Sequence, residues 1–321
     1  MKKYLLLIIA LFCFITTNTF AILTGSGTAG DPWIIDEVSD LEEIMANATD
    51  PGDGNFWNDY IELKSNLDLT GATVSPIGIN PSPGFTGNFN GNGYVISNLT
   101  INNPGSDYQG FFGFISGASI SNLSIENVDI KGAYYVGGFY GYSYLYATIE
   151  NCYATGDVEG DYFVGGFSGL ISFYSLVENC YATADVKGNN FVGGFSGSNS
   201  FYSLSENCNA TADVEGYDRV GGFSGYIHYA TIENCYATAT VSGTRSTGGF
   251  CGYNYKISLI KNCYATADVE GFSEIGGFSG INWGTIEECY ATADIEGTSN
   301  IGGFCGYNYT NSLVKKLLYY W

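Results

Sequence analysis

Basic side chains are scarce in this chain: 11 Lys and Arg stand against 32 Asp and Glu, with a single histidine, for a net charge of −21. Such a surface repels nucleic-acid phosphates and anionic membranes, which excludes nucleic acid as a partner. With only His228, Arg219, Arg245 and a few lysines, general acid–base chemistry has little to draw on. Proline (6) and methionine (2) are also few, and no long apolar run follows the first 21 residues. No span of about 20 apolar residues is left there to cross a bilayer.

The chain is rich in glycine (45), tyrosine (27) and phenylalanine (21). Glycine at that density costs about 1 kcal/mol per residue inside a helix, so the pattern points to strand and turn. Met1-Lys2-Lys3, the apolar run Tyr4 to Ile15, the polar Thr16 to Thr19 and Phe20-Ala21 follow the order of a secretory signal peptide. Cleavage is expected after Ala21, and the apolar run is too short for a membrane span. The protein is therefore expected outside the cell or on its surface. The absence of the two leader lysines makes the mature chain still more acidic.

A four-residue phrase, Val/Ile-Gly-Gly-Phe, recurs from Val136, Val164, Val192, Val220, Thr247, Ile275 and Ile301, at steps of 26 to 28 residues. A second phrase is anchored on Cys152, Cys180, Cys208, Cys235, Cys263 and Cys289, and reads Glu178-Asn179-Cys180-Tyr181-Ala182-Thr183-Ala184-Asp185-Val186 in its fullest copy. A fixed period of this size marks a solenoid whose coils bury a core only by stacking. The expected fold is all-β: a parallel β-solenoid, right-handed and β-helix-like, with ~28-residue coils. Ser39 through Glu42 matches a capping box, so a short helix over about 40–48 is expected in a small N-terminal cap, followed by a strand over 60–69.

The expected organisation is a signal peptide (1–21), a cap and lead-in (22–83), degenerate first coils (84–135), the regular repeats (136–309) and an aberrant C-terminus (310–321). Ser312-Leu313-Val314-Lys315 parallels Ser258-Leu259-Ile260-Lys261, yet Lys316-Leu317-Leu318-Tyr319-Tyr320-Trp321 replaces the next Asn-Cys-Tyr. That departure fits a truncated or frameshifted end.

Alternation gives the strand its faces. Cys180, Ala182, Ala184 and Val186 point inward, and Tyr181, Thr183 and Asp185 point to solvent. Asn179 and its counterparts suit a left-handed corner and can bond their stacked equivalents. Gly188 and its counterparts end the strand. In Val192-Gly193-Gly194-Phe195 the two glycines are expected to bend at positive φ and return both apolar side chains to the core, aligning Phe139, Phe167, Phe195, Phe223, Phe250, Phe278 and Phe304.

The repeated Val-Gly-Gly-Phe-Ser-Gly preceded by Asn-Cys-Tyr-Ala-Thr-Ala-Asp-Val closely resembles the GLUG repeat of bacterial and archaeal surface proteins. Gly25-Ser26-Gly27-Thr28-Ala29-Gly30-Asp31-Pro32-Trp33-Ile34-Ile35 and Pro76-Ile77-Gly78 look like the lead-in found in such proteins, so the resemblance spans residues 25–309. It implies an extracellular, adhesin-like module, sometimes attached to a separate protease domain, and carries no catalytic residues across. His-Glu-x-x-His is absent.

Candidate binding groups lie in three outward rows. Tyr153, Tyr181, Tyr236, Tyr264 and Tyr290, interrupted by Asn209, suit sugar faces or protein partners, or serve to stiffen the sheet. Thr155, Thr183, Thr211, Thr238, Thr266 and Thr292 run beside them. Asp157, Asp185, Asp213, Asp268 and Asp294, broken by Thr240, form a candidate cation ladder. A Ca²⁺ would relieve their repulsion, but splayed, solvated carboxylates do so as well, and calcium demands six to eight oxygens. No cofactor is implied. The mature cysteines repeat at the coil period without CxxC spacing, and read as buried thiols more readily than as disulfides. Gly25 to Gly30 spells the dinucleotide fingerprint, but Asp31-Pro32 follows where a helix should start.

These features point to a non-catalytic binding or adhesion module for an extracellular glycan or surface protein. A polysaccharide-active β-helix enzyme, lyase or hydrolase, would need clustered acids beside a base. A structural spacer is the other alternative. An ice-binding face would want two threonine rows where this chain has one.

Overall fold

The structure is a computed structural model and describes residues 23–46, 56–79, 81, 84–211, 213–238 and 240–315. The expected signal peptide and the segment 316–321 lie outside the described residues. Strands wind into three parallel sheets of 11, 18 and 8 strands. We call them the short sheet, the long sheet and the serine sheet. One coil runs, for example, through Leu176–Glu178 on the short sheet, Tyr181–Lys187 and Asn190–Gly193 on the long sheet, and Ser196–Ser200 on the serine sheet. This is the expected parallel β-solenoid.

Register follows the repeat residue for residue. Tyr153 pairs Tyr181, Val158 pairs Val186, and Val164 pairs Val192. In-register stacking puts like side chains above one another, so the core is a set of ladders. Phe139, Phe167, Phe195, Phe223, Phe250, Phe278 and Phe304 stack with centroids 4.8–5.0 Å apart. Phe139 through Phe278 are fully buried, while Phe304 on the last coil is half-buried. Cys152, Cys180, Cys208, Cys235, Cys263 and Cys289 form a parallel buried ladder of unpaired thiols, each touching its neighbours through contacts such as Cys208 N–H to Cys235 Sγ at 3.3 Å. Cys251 and Cys305 are separated by Ser279, two coils apart.

Corners are made by the left-handed backbone, and the structure redistributes it. Asn151, Asn179, Asn207, Asn234, Asn262 and Glu288 all have φ of 51–57°, as expected for that corner. Their amides bond along the stack in places, as Asn262 donates to Asn234 at 3.2 Å. At the Gly-Gly-Phe corner the positive φ falls instead on the preceding residue: Tyr135, Phe163, Phe191, Arg219, Ser246, Glu274 and Asn300. The glycines are there for space. A Cβ on Gly166 would land on the carbonyl oxygen of Gly194 in the next coil. Val164 and Phe167 still both face the core.

Three further expectations are corrected. Strands end before Gly160 and Gly188, but run on through Gly216, Gly243 and Gly271. The single strand over 60–69 is two, Tyr60–Leu63 and Leu67–Asp68, divided between the short and long sheets by a corner. The helix spans Val38–Ala46, and its N-terminus is fastened by Asp40, whose carboxylate accepts from the Asp36 and Glu37 N–H groups at 2.9 and 3.1 Å. Ser39 lies within the first turn rather than at the cap. Leu41, Ile44 and Met45 bury the helix against Trp57, whose indole N–H donates to the Ile44 carbonyl at 3.1 Å. An apolar helix face thus covers the first coil, whose edge would otherwise be open to pairing.

Candidate functional site

The long sheet carries the three outward rows, because strand alternation forces Tyr, Thr and Asp to the side opposite Cys, Ala and Val. In the coil of Tyr181 this alternation is perfect: Ala182, Ala184 and Val186 are buried, and Tyr181, Thr183, Asp185 and Lys187 are exposed. Asp157, Asp185, Asp213, Asp268 and Asp294 are all exposed, as are Thr266 and Thr292, while Thr155, Thr211 and Thr238 are half-buried. Tyr153, Tyr236, Tyr264 and Tyr290 are likewise half-buried, and Tyr181 is 36% exposed.

Tyrosines cover one another. Tyr153 and Tyr181 stack at 4.5 Å, Tyr236 and Tyr264 at 4.9 Å, and Tyr264 and Tyr290 at 5.0 Å, with ring planes within 12°. A ring inside such a stack offers its edge and hydroxyl outward, and its faces are taken. Tyr153 also donates its hydroxyl to the Glu126 carboxylate. Burial, and then that bond, push its phenol up to about 12.

Two shallow grooves run along the same face. One, of about 650 Å³, is lined by Asp129, Asp157, Asp185, Asp213 and the next outward row, Lys131, Glu159, Lys187 and Glu215. The other, about 670 Å³, lies along Thr211, Thr238, Thr266 and Thr292 with Asp185, Asp213 and Asp268. Lys131 bonds Glu159 at 2.7 Å and Lys187 bonds Glu215 at 3.0 Å, so alternating charge neutralises that outer row from coil to coil. The Asp row has no such alternation. One of its carboxylates is used locally, since Asp185 accepts the Asp213 backbone N–H at 3.2 Å. Among the described residues no group of three or more His, Cys, Asp and Glu converges as metal ligands would.

Sequence reading missed two aromatic corners. Tyr108, Tyr135, Phe163 and Phe191 stack at 4.6–5.2 Å along the Gly-Gly-Phe corner, and the Arg219 guanidinium caps the stack 4.8 Å from the Phe191 ring. Tyr146, Tyr174 and Tyr202 form a second stack at 5.2 Å spacing, mostly exposed. All three have φ of 59–65°. The signal was there in the period, because Tyr146, Tyr174, Tyr202 and Tyr229 recur at 28, 28 and 27 residues. What hid them was their setting outside the two phrases. His228 sits among Phe201, Tyr226, Tyr229 and Tyr255, with ring centroids 4.4–5.8 Å away, and burial lowers its pKa.

A ladder-cored parallel solenoid with an acidic, tyrosine-lined long sheet defines a repeat protein. Three stretches of its repeats, residues 132–159, 216–242 and 243–270, match the GLUG motif. Halomucin of Haloquadratum walsbyi is 33% identical over 150 residues, covering 44% of this chain and 2% of halomucin. An Evansella cellulosilytica protein provisionally named a Gly-rich membrane protein is 32% identical over 112 residues, 34% of this chain and 12% of that protein. The chain therefore spans only a small part of the length of these relatives. A crystal structure of a Bacteroides ovatus protein, provisionally named an immunoglobulin A1 protease, superposes with a TM-score of 0.61 at 22% identity, over 91% of this chain and 86% of that one. That likeness is one of fold. No helix among the described residues is long and apolar enough to cross a membrane.

Proposed function

We propose that the Tyr, Thr and Asp rows of the long sheet bind an extracellular glycan or surface protein without turnover, with the chain secreted or held at the cell surface. The observation that carries this reading is the register, which sets the same outward groups on successive coils at the strand spacing of ~4.8 Å. Weak identical contacts in a row favour a polymer, because avidity multiplies modest single-site affinity. The name Gly-rich membrane protein, carried by one relative, supports a place at the cell surface.

A polysaccharide lyase or hydrolase would set an acid and a base around one bond. Here the carboxylates repeat evenly, and Lys131 and Lys187 are engaged by Glu159 and Glu215. The protease name of the Bacteroides ovatus protein raises a peptidase reading, but His228 is ringed by aromatic side chains rather than by a carboxylate or thiol. A pure spacer would be indifferent to the outward rows. Replacing Tyr181, Tyr236 and Tyr264 together with Ser separates these readings: the account expects adhesion to cells or glycan to fall in a variant that remains folded.

A further inference from the structure

The Tyr row has one interruption, and its geometry is specific. Tyr181 pairs Asn209, and Asn209 pairs Tyr236, in adjacent coils. Tyr181 is covered on one side by Tyr153, and Tyr236 on one side by Tyr264. Their remaining faces look at each other across the coil of Asn209. Two coil rises set those ring planes ~9–10 Å apart. A saturated six-membered ring in contact on both faces needs about 7.5–8.5 Å, from carbon contacts of ~3.5–4 Å on each side and the ~0.5 Å pucker of a chair, so the slot admits it with ~1–2 Å to spare. The Asn209 side chain, half-buried and shorter than tyrosine, forms the floor. Its amide supplies both a donor and an acceptor there.

We propose that this notch clamps one uncharged, β-linked, gluco-configured pyranose unit between Tyr181 and Tyr236. The inference rests on the reading of this face as a glycan-binding surface, and names its ligand class. Three observations lead to it. Apart from the outer faces of Tyr153 and Tyr290 at the row's two ends, ring faces elsewhere in the row are taken by neighbouring tyrosines, so two-sided sugar stacking has this opening. A two-sided slot selects a ring with two apolar faces, which is the all-equatorial chair, whose axial C–H bonds point up and down while its hydroxyls point sideways. The sideways hydroxyls then meet the Asn209 amide and the hydroxyls of Thr183 and Thr211. The exposed Asp185 and Asp213 carboxylates nearby disfavour anionic sugars.

The test is the substitution Asn209→Tyr in the full chain. It completes the tyrosine ladder, so the variant should fold with an unchanged or higher Tm, while the added ring fills the slot. Methyl β-D-glucopyranoside is the probe, with methyl α-D-mannopyranoside and methyl β-D-galactopyranoside, each bearing one axial hydroxyl, as comparisons. Saturation-transfer NMR on the wild type is expected to mark ring protons on both faces of the glucoside. Affinity should be at least tenfold weaker for the axial-hydroxyl sugars, and binding should be lost in Asn209→Tyr. Undiminished glucoside binding by the folded variant, equal binding of the three sugars, or no binding by the wild type overturns the clamp. Loss of adhesion in the triple Tyr→Ser variant alongside any of those results leaves the wider binding face standing. Unchanged adhesion in that triple variant removes the face itself.

Discussion

Truncating Phe195 to Ala removes a ring that is fully buried and stacked on both sides, with Phe167 at 4.9 Å and Phe223 at 4.8 Å. A buried Phe→Ala change costs about 3–5 kcal/mol through lost transfer energy and the cavity left behind. The neighbouring coils are held apart by the backbone ladders of three sheets, so the cavity has little room to collapse and the loss belongs near the top of that range. Solenoid stability is a sum of coil and nearest-neighbour terms, and Phe195 takes part in two such interfaces. Phe304 takes part in one, with Phe278, and is half-buried. Its truncation should cost roughly half as much, about 2 kcal/mol. Tyr181→Ala should cost less again, about 1 kcal/mol, because it removes one stacking partner from a partly exposed position. Urea unfolding followed by circular dichroism, with hydrogen exchange to localise the opening, measures all three. Equal losses at Phe195 and Phe304, or a Tyr181 loss as large as that at Phe195, would refute the ladder account of the core.

Alkaline pH should unfold the protein. Burial pushes the Tyr142 and Tyr226 phenols up to about 12, as it does Tyr153, from an ordinary value near 10. The neutral phenols are therefore favoured in the folded state, so stability is full below about pH 10 and is lost as pH climbs through about 12; an unchanged strand signal at pH 12 would contradict this. Thiol titration should find the six ladder cysteines unreactive in the native protein and reactive in urea, since all six are buried out of reach of the reagent. A disulfide mass shift, or rapid native reaction at the ladder, would contradict that placement.

Much of the fold was legible because a solenoid repeats its instructions. Parity in Cys180 to Val186 assigned both faces correctly, and Asn179 and its counterparts marked a left-handed corner. The Gly-Gly corner was misread at the level of mechanism. Glycine serves two needs that a sequence does not separate, positive φ and close approach, and here the second decides. The positive φ passes to Tyr135, Phe163 and Arg219, residue types from which no local rule would predict it. The helix cap moved because Asp40, not Ser39, reaches the free N–H groups. In the candidate site, the rows were readable but their self-stacking was not. Parity says that tyrosines share a face, whereas the ~5 Å coil rise decides that they cover one another. The same rise turns Asn209, on sequence a mere interruption, into an opening between two rings.

Binding without turnover is the central claim, and one sample tests both halves of it. Wild type and the Tyr181, Tyr236 and Tyr264 to Ser variant are incubated with purified neutral cell-surface polysaccharide and with a surface-protein extract. Bound material is then weighed against new reducing ends and new amino termini. The account predicts retention by the wild type, loss of retention by the folded variant, and no released ends from either. Equal retention by both proteins would move binding off the tyrosine face, and steady release of ends by the wild type would make the protein an enzyme.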